Sequence, residues 1–379
     1  MRNKYIALLF LLLTLILSGC SGTETQKIKI AVMGDPESFY PGYKYGIERA
    51  IEDLNKEYAD SGYSVECEFY SDNGSYEEGA VIVDKLAGDR SVTAVIGAID
   101  MEINRTAAYA FNEAGKLFVV PFFLYEDVYY DNNYNAIFSM SNSAQTIGET
   151  LCIAAAQTDA KRWVLCAADN EFDRSEMNGF LKLSQSCKIQ VVDCVNIMEL
   201  KTNFDGIYKR WETLGVEGVI MFPNGSEGFE ILKELKRRDT ALICGGDTAF
   251  DNSSILNADE ELLQAMVGFI MSEEFVMREG TDEEYDLAAD MRDEYVQKTG
   301  EPFDTWFIHG YNAARMIGDT AIRNKTKSAE EIARILREDG YKGLLEEFYF
   351  DKSGSQITSS YTFCVFDETG YPIEHEIEK

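Results

Sequence analysis

His309 and His375 are the only histidines in this chain of 379 residues, so proton transfer near neutral pH has few carriers. His309 stands where a helix begins and reads as a capping or packing residue; His375 lies in the tail. No Gly-x-Ser-x-Gly elbow, His-Glu-x-x-His pair or phosphate-binding glycine loop accompanies them. Glu273-Glu274 and Asp282-Glu283-Glu284 read as solvated helix or loop residues rather than a hydrolytic pair. Asp72-Asn73-Gly74 is a turn, not a complete calcium loop. The side-chain chemistry is that of binding, not turnover, and no catalytic residue, metal or cofactor is expected.

Sulfur is the exception. Cys20 closes Leu17-Ser18-Gly19-Cys20 behind an apolar run over 5–17, itself preceded by Arg2 and Lys4. A basic start, an apolar segment too short to span a bilayer and small residues before a cleavage point describe an export signal. The pattern resembles the bacterial lipobox, which implies cleavage before Cys20 and lipidation of its thiol. Residues 1–19 are then a signal peptide and 20–27 a lipidated tether, with the membrane reached through the anchor. Of eight cysteines, the other seven cannot all pair within one chain. None shows zinc-site spacing, and runs such as Trp163-Val164-Leu165-Cys166 suit buried thiols acting as small apolar residues. An oxidising compartment would also permit a pair such as Cys166 and Cys194.

Acidic residues outnumber basic ones by 66 to 35, for a formal charge of −31. That excess excludes nucleic acid as a partner and repels an anionic bilayer, so attachment to a membrane falls to the lipid at Cys20.

The elements that must position any binding residues alternate. Ile28-Lys29-Ile30-Ala31-Val32-Met33-Gly34 reads as a buried parallel strand ending at a turn glycine. Over 43–59, Ile47, Ala50, Ile51 and Leu54 fall on one helical face. Strands at 64–70, 94–96 and 117–120 alternate with helices at 76–87 and 104–114. The rhythm resumes with strands at 162–167, 189–195, 218–222 and 241–244 and helices at 175–186, 203–214 and 228–238. Such alternation predicts α/β architecture with parallel, doubly wound sheets in two lobes. Helices at 307–322 and 328–338 follow. The tail is extended over 344–350 and 359–367, with Asp351-Lys352-Ser353-Gly354 turning between them as a hairpin.

The opening strand, the helix carrying Gly46, Ala50 and Asn55, and Val92-Thr93-Ala94-Val95-Ile96-Gly97 carry a family likeness. So do Ala114-Gly115, Val120-Pro121, Gly310-Tyr311-Asn312-Ala313 and the segment 340–354. Together they resemble the type I periplasmic binding proteins, in particular the branched-chain amino-acid (Leu/Ile/Val) binding family of ABC importers. The resemblance implies two Rossmann-like lobes joined by three crossing segments, near 138–141, 266–273 and 344–350. Residues 28–138 and 270–343 then form lobe one, and 139–269 and 344–379 lobe two. It implies a non-enzymatic binder that closes on a small molecule, with permease subunits, or a membrane receptor in a sensing role, as partner.

Carried over position by position, the family's site changes character. Its carboxylate-binding serine is replaced by Met101, flanked by Asp100 and Glu102. Its small, hydroxyl-bearing loop becomes Pro121-Phe122-Phe123-Leu124-Tyr125. Its aromatic contact in the second lobe is Phe172, and its ammonium-binding acid is Asp247, which an N-cap role would also suit. Tyr40 and Asn224 complete the set. An apolar, aromatic cleft edged with acid implies a cationic or aromatic ligand.

Overall fold

In the computed structural model the described residues are 25–34, 41–125, 127–128, 134–222, 226–247, 258–272, 283–301, 306–357, 360–370 and 372–378. The first lobe is laid down by β1 (Gln26–Met33), α1 (Pro41–Glu57), β2 (Tyr63–Tyr70), α2 (Tyr76–Gly88), β3 (Ala94–Ile96), α3 (Met101–Ala114), β4 (Leu117–Val120) and β5 (Ile137–Ser139). The chain passes to the second lobe with α4 (Ala144–Gln157), β6 (Arg162–Ala167), α5 (Glu171–Ser184), β7 (Gln190–Asn196), α6 (Ile197–Thr202) and α7 (Phe204–Leu214). That lobe continues with β8 (Gly218–Met221), α8 (Ser226–Arg238), β9 (Ile243–Gly246), α9 (Glu260–Met266) and β10 (Ile270–Ser272). Then come α10 (Glu283–Thr299), α11 (Trp306–Arg323), α12 (Ala329–Asp339), β11 (Tyr341–Lys342), β12 (Glu347–Phe348), β13 (Ser360–Phe366) and β14 (Pro372–Glu378).

A five-stranded sheet in the order β2-β1-β3-β4-β5 is parallel throughout. A seven-stranded sheet, β14-β13-β10-β9-β8-β6-β7, is parallel except for β13 and β14, which add antiparallel at its β10 edge. The strands read as continuous apolar runs because helices cover both faces: Leu117 to Val120 and Val164 to Cys166 are completely buried.

In each lobe one helix pair is pressed together at glycines. In lobe one a Cβ on Gly46 would stand 2.0 Å from the Phe307 carbonyl oxygen, and one on Gly310 2.4 Å from that of Tyr43. In lobe two a Cβ on Gly148 would stand 1.8 Å from the Glu176 carbonyl oxygen, and one on Gly179 2.1 Å from that of Gln145. Only glycine permits backbones this close.

The lobe boundaries shift from those the sequence suggests. Ile270 to Ser272 pair with β9 and β13 in the second sheet, so the chain returns to lobe one after Ser272. Leu344, Phe348 and Phe350 belong to the lobe-one core, and Ile357 N–H still donates to the Tyr349 carbonyl. The last passage to lobe two therefore follows Ile357. The expected tail hairpin also differs: β12 pairs with β11 and β13 with β14, while 349–351 turns back on 355–357 through the Phe350–Gln356 bridge and its flanking hydrogen bonds. Alternation marked the extended segments, but nothing local in them specified a partner.

Candidate functional site

The carboxyl ends of β3, β4 and β6 feed loops that meet between the lobes, and Asp247 follows the carboxyl end of β9, the end of the strands where open α/β sheets collect ligands. The loop after β3 is fixed by Asn104, whose carboxamide accepts from Ala98 N–H at 2.8 Å and donates to the Ala98 carbonyl at 2.7 Å. Asp100 caps α3, its carboxylate accepting from Glu102 N–H at 2.8 Å and Ile103 N–H at 3.0 Å. Its charge is thereby committed to the helix end. Met101, partly buried, begins the helix behind it.

The loop after β4 reaches across the gap. Phe123 packs against the lobe-two core and lies tilted on Phe172, with ring centroids 4.6 Å apart. Phe172 stands in the first turn of α5, which Asn170 caps by accepting from Asp173 N–H at 2.8 Å. Asp173 mirrors Asn104: it accepts from Ala168 N–H at 2.7 Å and holds the loop after β6. A second link between the lobes runs beside the rings. Arg105 on α3 donates from Nη2 to both Glu171 oxygens at 3.2 Å. Its Nε lies 3.4 Å from Asp127, and its guanidinium 3.8 Å from the Tyr125 ring centroid. Burial works against the Arg105 charge, but Asp127, Glu171 and Glu102 hold its pKa above the ordinary value. Burial, then Glu102, pushes the Tyr125 phenol up to about 12.

Asp247, directly after β9, is completely buried, and its neighbour is Glu176, four residues beyond Phe172 on α5 and equally buried. Burial first, and then the Asp247 carboxylate, lift the Glu176 pKa well above the usual carboxylate range. Among the described residues neither Glu176 oxygen has a well-aligned donor. Burial and the adjacent Asp247 carboxylate both favour the protonated form of Glu176. Ser272 follows Met271, which pairs with Gly246, and its buried hydroxyl stands at the same strand level as Asp247.

The structure thus brings Phe123 and Phe172 together and sets Asp247, after β9, beside Glu176 on α5. Tyr40, Asn224 and Cys20 lie outside the described residues. His309 is buried and lies tilted against Trp306 with centroids 4.8 Å apart, while Trp306 lies tilted in turn against Phe122. Sequence reasoning missed Glu176, Arg105, Glu171, Asn104 and Asp173. Glu176 was the one with a usable signal, since it falls one helical turn after Phe172. A separate cavity of about 820 Å³ between α8 and α9 is lined by Lys233, Lys236, Arg237 and Gln264. Thr240, also in its wall, precedes β9, so this cavity lies at the amino ends of the strands, opposite Asp247.

Among curated proteins, none matches this chain. Solved structures do. A substrate-binding protein of an ABC transporter from Desulfitobacterium hafniense, in complex with Leu, superposes with a TM-score of 0.75 at 20% identity, covering 92% of this chain and 100% of that one. The LivJ protein of Streptococcus pneumoniae in complex with isoleucine gives 0.71 at 15%, covering 93% and 100%. A solute-binding protein from R. palustris in complex with benzoate gives 0.71 at 14%, covering 93% and 98%. The sequence pattern of the family described as periplasmic binding protein matches residues 28–370. The chain therefore belongs to the periplasmic binding protein family, with the type I fold, the extracytoplasmic location and the non-enzymatic, solute-binding character of that family.

Proposed function

We propose that this protein is the lipid-anchored solute-binding subunit of an ABC importer, held at the membrane through Cys20, and that its ligand is a small molecule carrying an amine and an aromatic or apolar body. The observation that carries this reading is the buried Glu176–Asp247 pair together with the Phe123–Phe172 rings. A carboxyl pair holding one proton can take up a cationic group by releasing that proton, the ligand's charge then compensating the second carboxylate through a charge-assisted contact. The aromatic rings accept the body of the ligand and add attraction for a cation over their faces. Met101, where the family places a hydroxyl, removes a donor for a ligand carboxylate, which favours an amine over an amino acid.

Calorimetry with phenethylamine, tyramine, leucine and benzoate tests this. The expected result is binding of the aromatic amines with proton release, weakened roughly 10-fold or more by Asp247→Asn through loss of a charged partner. Tight binding of leucine or benzoate with no response to amines would overturn it.

A further inference from the structure

The helices α4 and α5 run side by side in the same direction, and their contacts form a ladder. At the first rung Gly179 lies against the Gln145 carbonyl. One turn on, Lys182 Nζ reaches Glu149 at 2.6 Å. One turn further along α4 comes Cys152, and Cys187 follows just beyond the end of α5. Cys152 is completely buried, and Cys187, partly exposed, packs against the same apolar cluster. Beyond α5, Cys187 is set by a turn in which its N–H donates to the Leu183 carbonyl at 2.9 Å, while Ile189 N–H donates to that of Ser184 at 2.8 Å. Cys187 lies close enough to act on Cys152: after burial it is the largest influence keeping the Cys152 thiol protonated.

Cys166, whose thiol is influenced by Cys244 and Cys194, is placed differently from each. Leu165 is paired with Cys194 and Cys166 with Val195, so Cys166 and Cys194 point to opposite faces of the sheet. This corrects the pairing the sequence seemed to permit. Cys166 and Cys244 are separated by β8. Cys67 lies in lobe one.

We propose that Cys152 and Cys187 form an intramolecular disulfide in the exported protein, fastening the far end of α4 to the turn after α5. The oxidant class is a small-molecule disulfide. The Cys187 thiolate, the more accessible of the two, attacks one sulfur of the oxidant and expels one thiol. Cys152 then loses its proton and attacks the Cys187 sulfur of the mixed disulfide, expelling the second thiol. The two cysteines give up two electrons and two protons, and the oxidant takes up both. The bond closes a loop spanning α4, β6 and α5, and so limits the unfolded chain while leaving the cleft-facing end of α5 untouched.

The test is thiol counting on the exported protein, equilibrated with excess oxidised glutathione, then unfolded in alkylating agent and digested. Two of the seven cysteines should alkylate only after reduction, and one peptide pair should link Cys152 to Cys187. The oxidised protein should melt roughly 5 °C above the reduced one. Cys187→Ser should abolish both the link and the shift. Alkylation of all seven without reduction, a persistent glutathione adduct on Cys187, or a link joining any other pair would overturn the proposal.

Discussion

At the scale of single residues, the buried Glu176 carboxyl departs most from what its type suggests. Its pKa is raised in the folded state, so the folded protein holds a proton that the unfolded chain releases above the ordinary glutamate value. The stability it contributes is complete at acidic pH and is lost as pH rises from the ordinary value toward the raised one. Glu176→Gln keeps the shape and removes the ionisation. In the ligand-free protein it should raise stability at neutral pH by roughly 1–2 kcal/mol, with little change near pH 4. Denaturant titrations at the two pH values check this, and an equal loss at both would show that the carboxyl is not protonated. Phe172 and Asp247 stood out as candidates because a family pattern pointed to them. Glu176 follows Phe172 by one helical turn, but a glutamate in a helix reads as solvated until packing shows which face it occupies.

The controlling feature at the scale of elements is the glycine contact between paired helices. Gly148→Ala would drive a methyl into the Glu176 carbonyl, so α4 and α5 must separate, at a cost of roughly 2–3 kcal/mol. Gly88→Ala, at the end of α2 with nothing within 4 Å, should be neutral or slightly stabilising. Because the same helix carries Phe172 at one end and Glu176 one turn on, Gly148→Ala should also weaken ligand binding, whereas Gly88→Ala should not. Thermal melts with ligand titrations separate the two. Helix and strand positions were readable from apolar periodicity. The partners of the tail strands were not, since β13 and β14 satisfy the same alternation in several pairings and only the open edge of β10 selects one.

For the whole molecule, Arg105–Glu171 and Phe123–Phe172 hold the lobes against each other. The ion pair is partly exposed, with side-chain accessibilities of 25% and 52%, so its worth is in the range of about 0–1 kcal/mol and falls with salt. Glu171→Gln should shift the lobe equilibrium toward the open form and weaken ligand binding by roughly 2- to 5-fold. The difference from wild type should shrink at 1 M salt. Small-angle scattering with and without ligand reports the opening. An unchanged radius and unchanged affinity would mean that the aromatic contact alone closes the cleft.

The sequence by itself determined the alternating strands and helices and the parallel core of the two sheets, because each depends on local periodicity and residue type. It also supplied the position of Phe172 and Asp247 at the ends of elements. Tertiary structure decided which groups meet: Phe123 with Phe172 across the lobes, Arg105 with Glu171, Glu176 with Asp247 and Cys152 with Cys187. Those encounters depend on the crossing of helices over the sheets and on the return of the chain after Ser272 and Ile357. A contact between residues far apart in sequence has no local signature, because the free energy that fixes it comes from burial and packing around both partners at once.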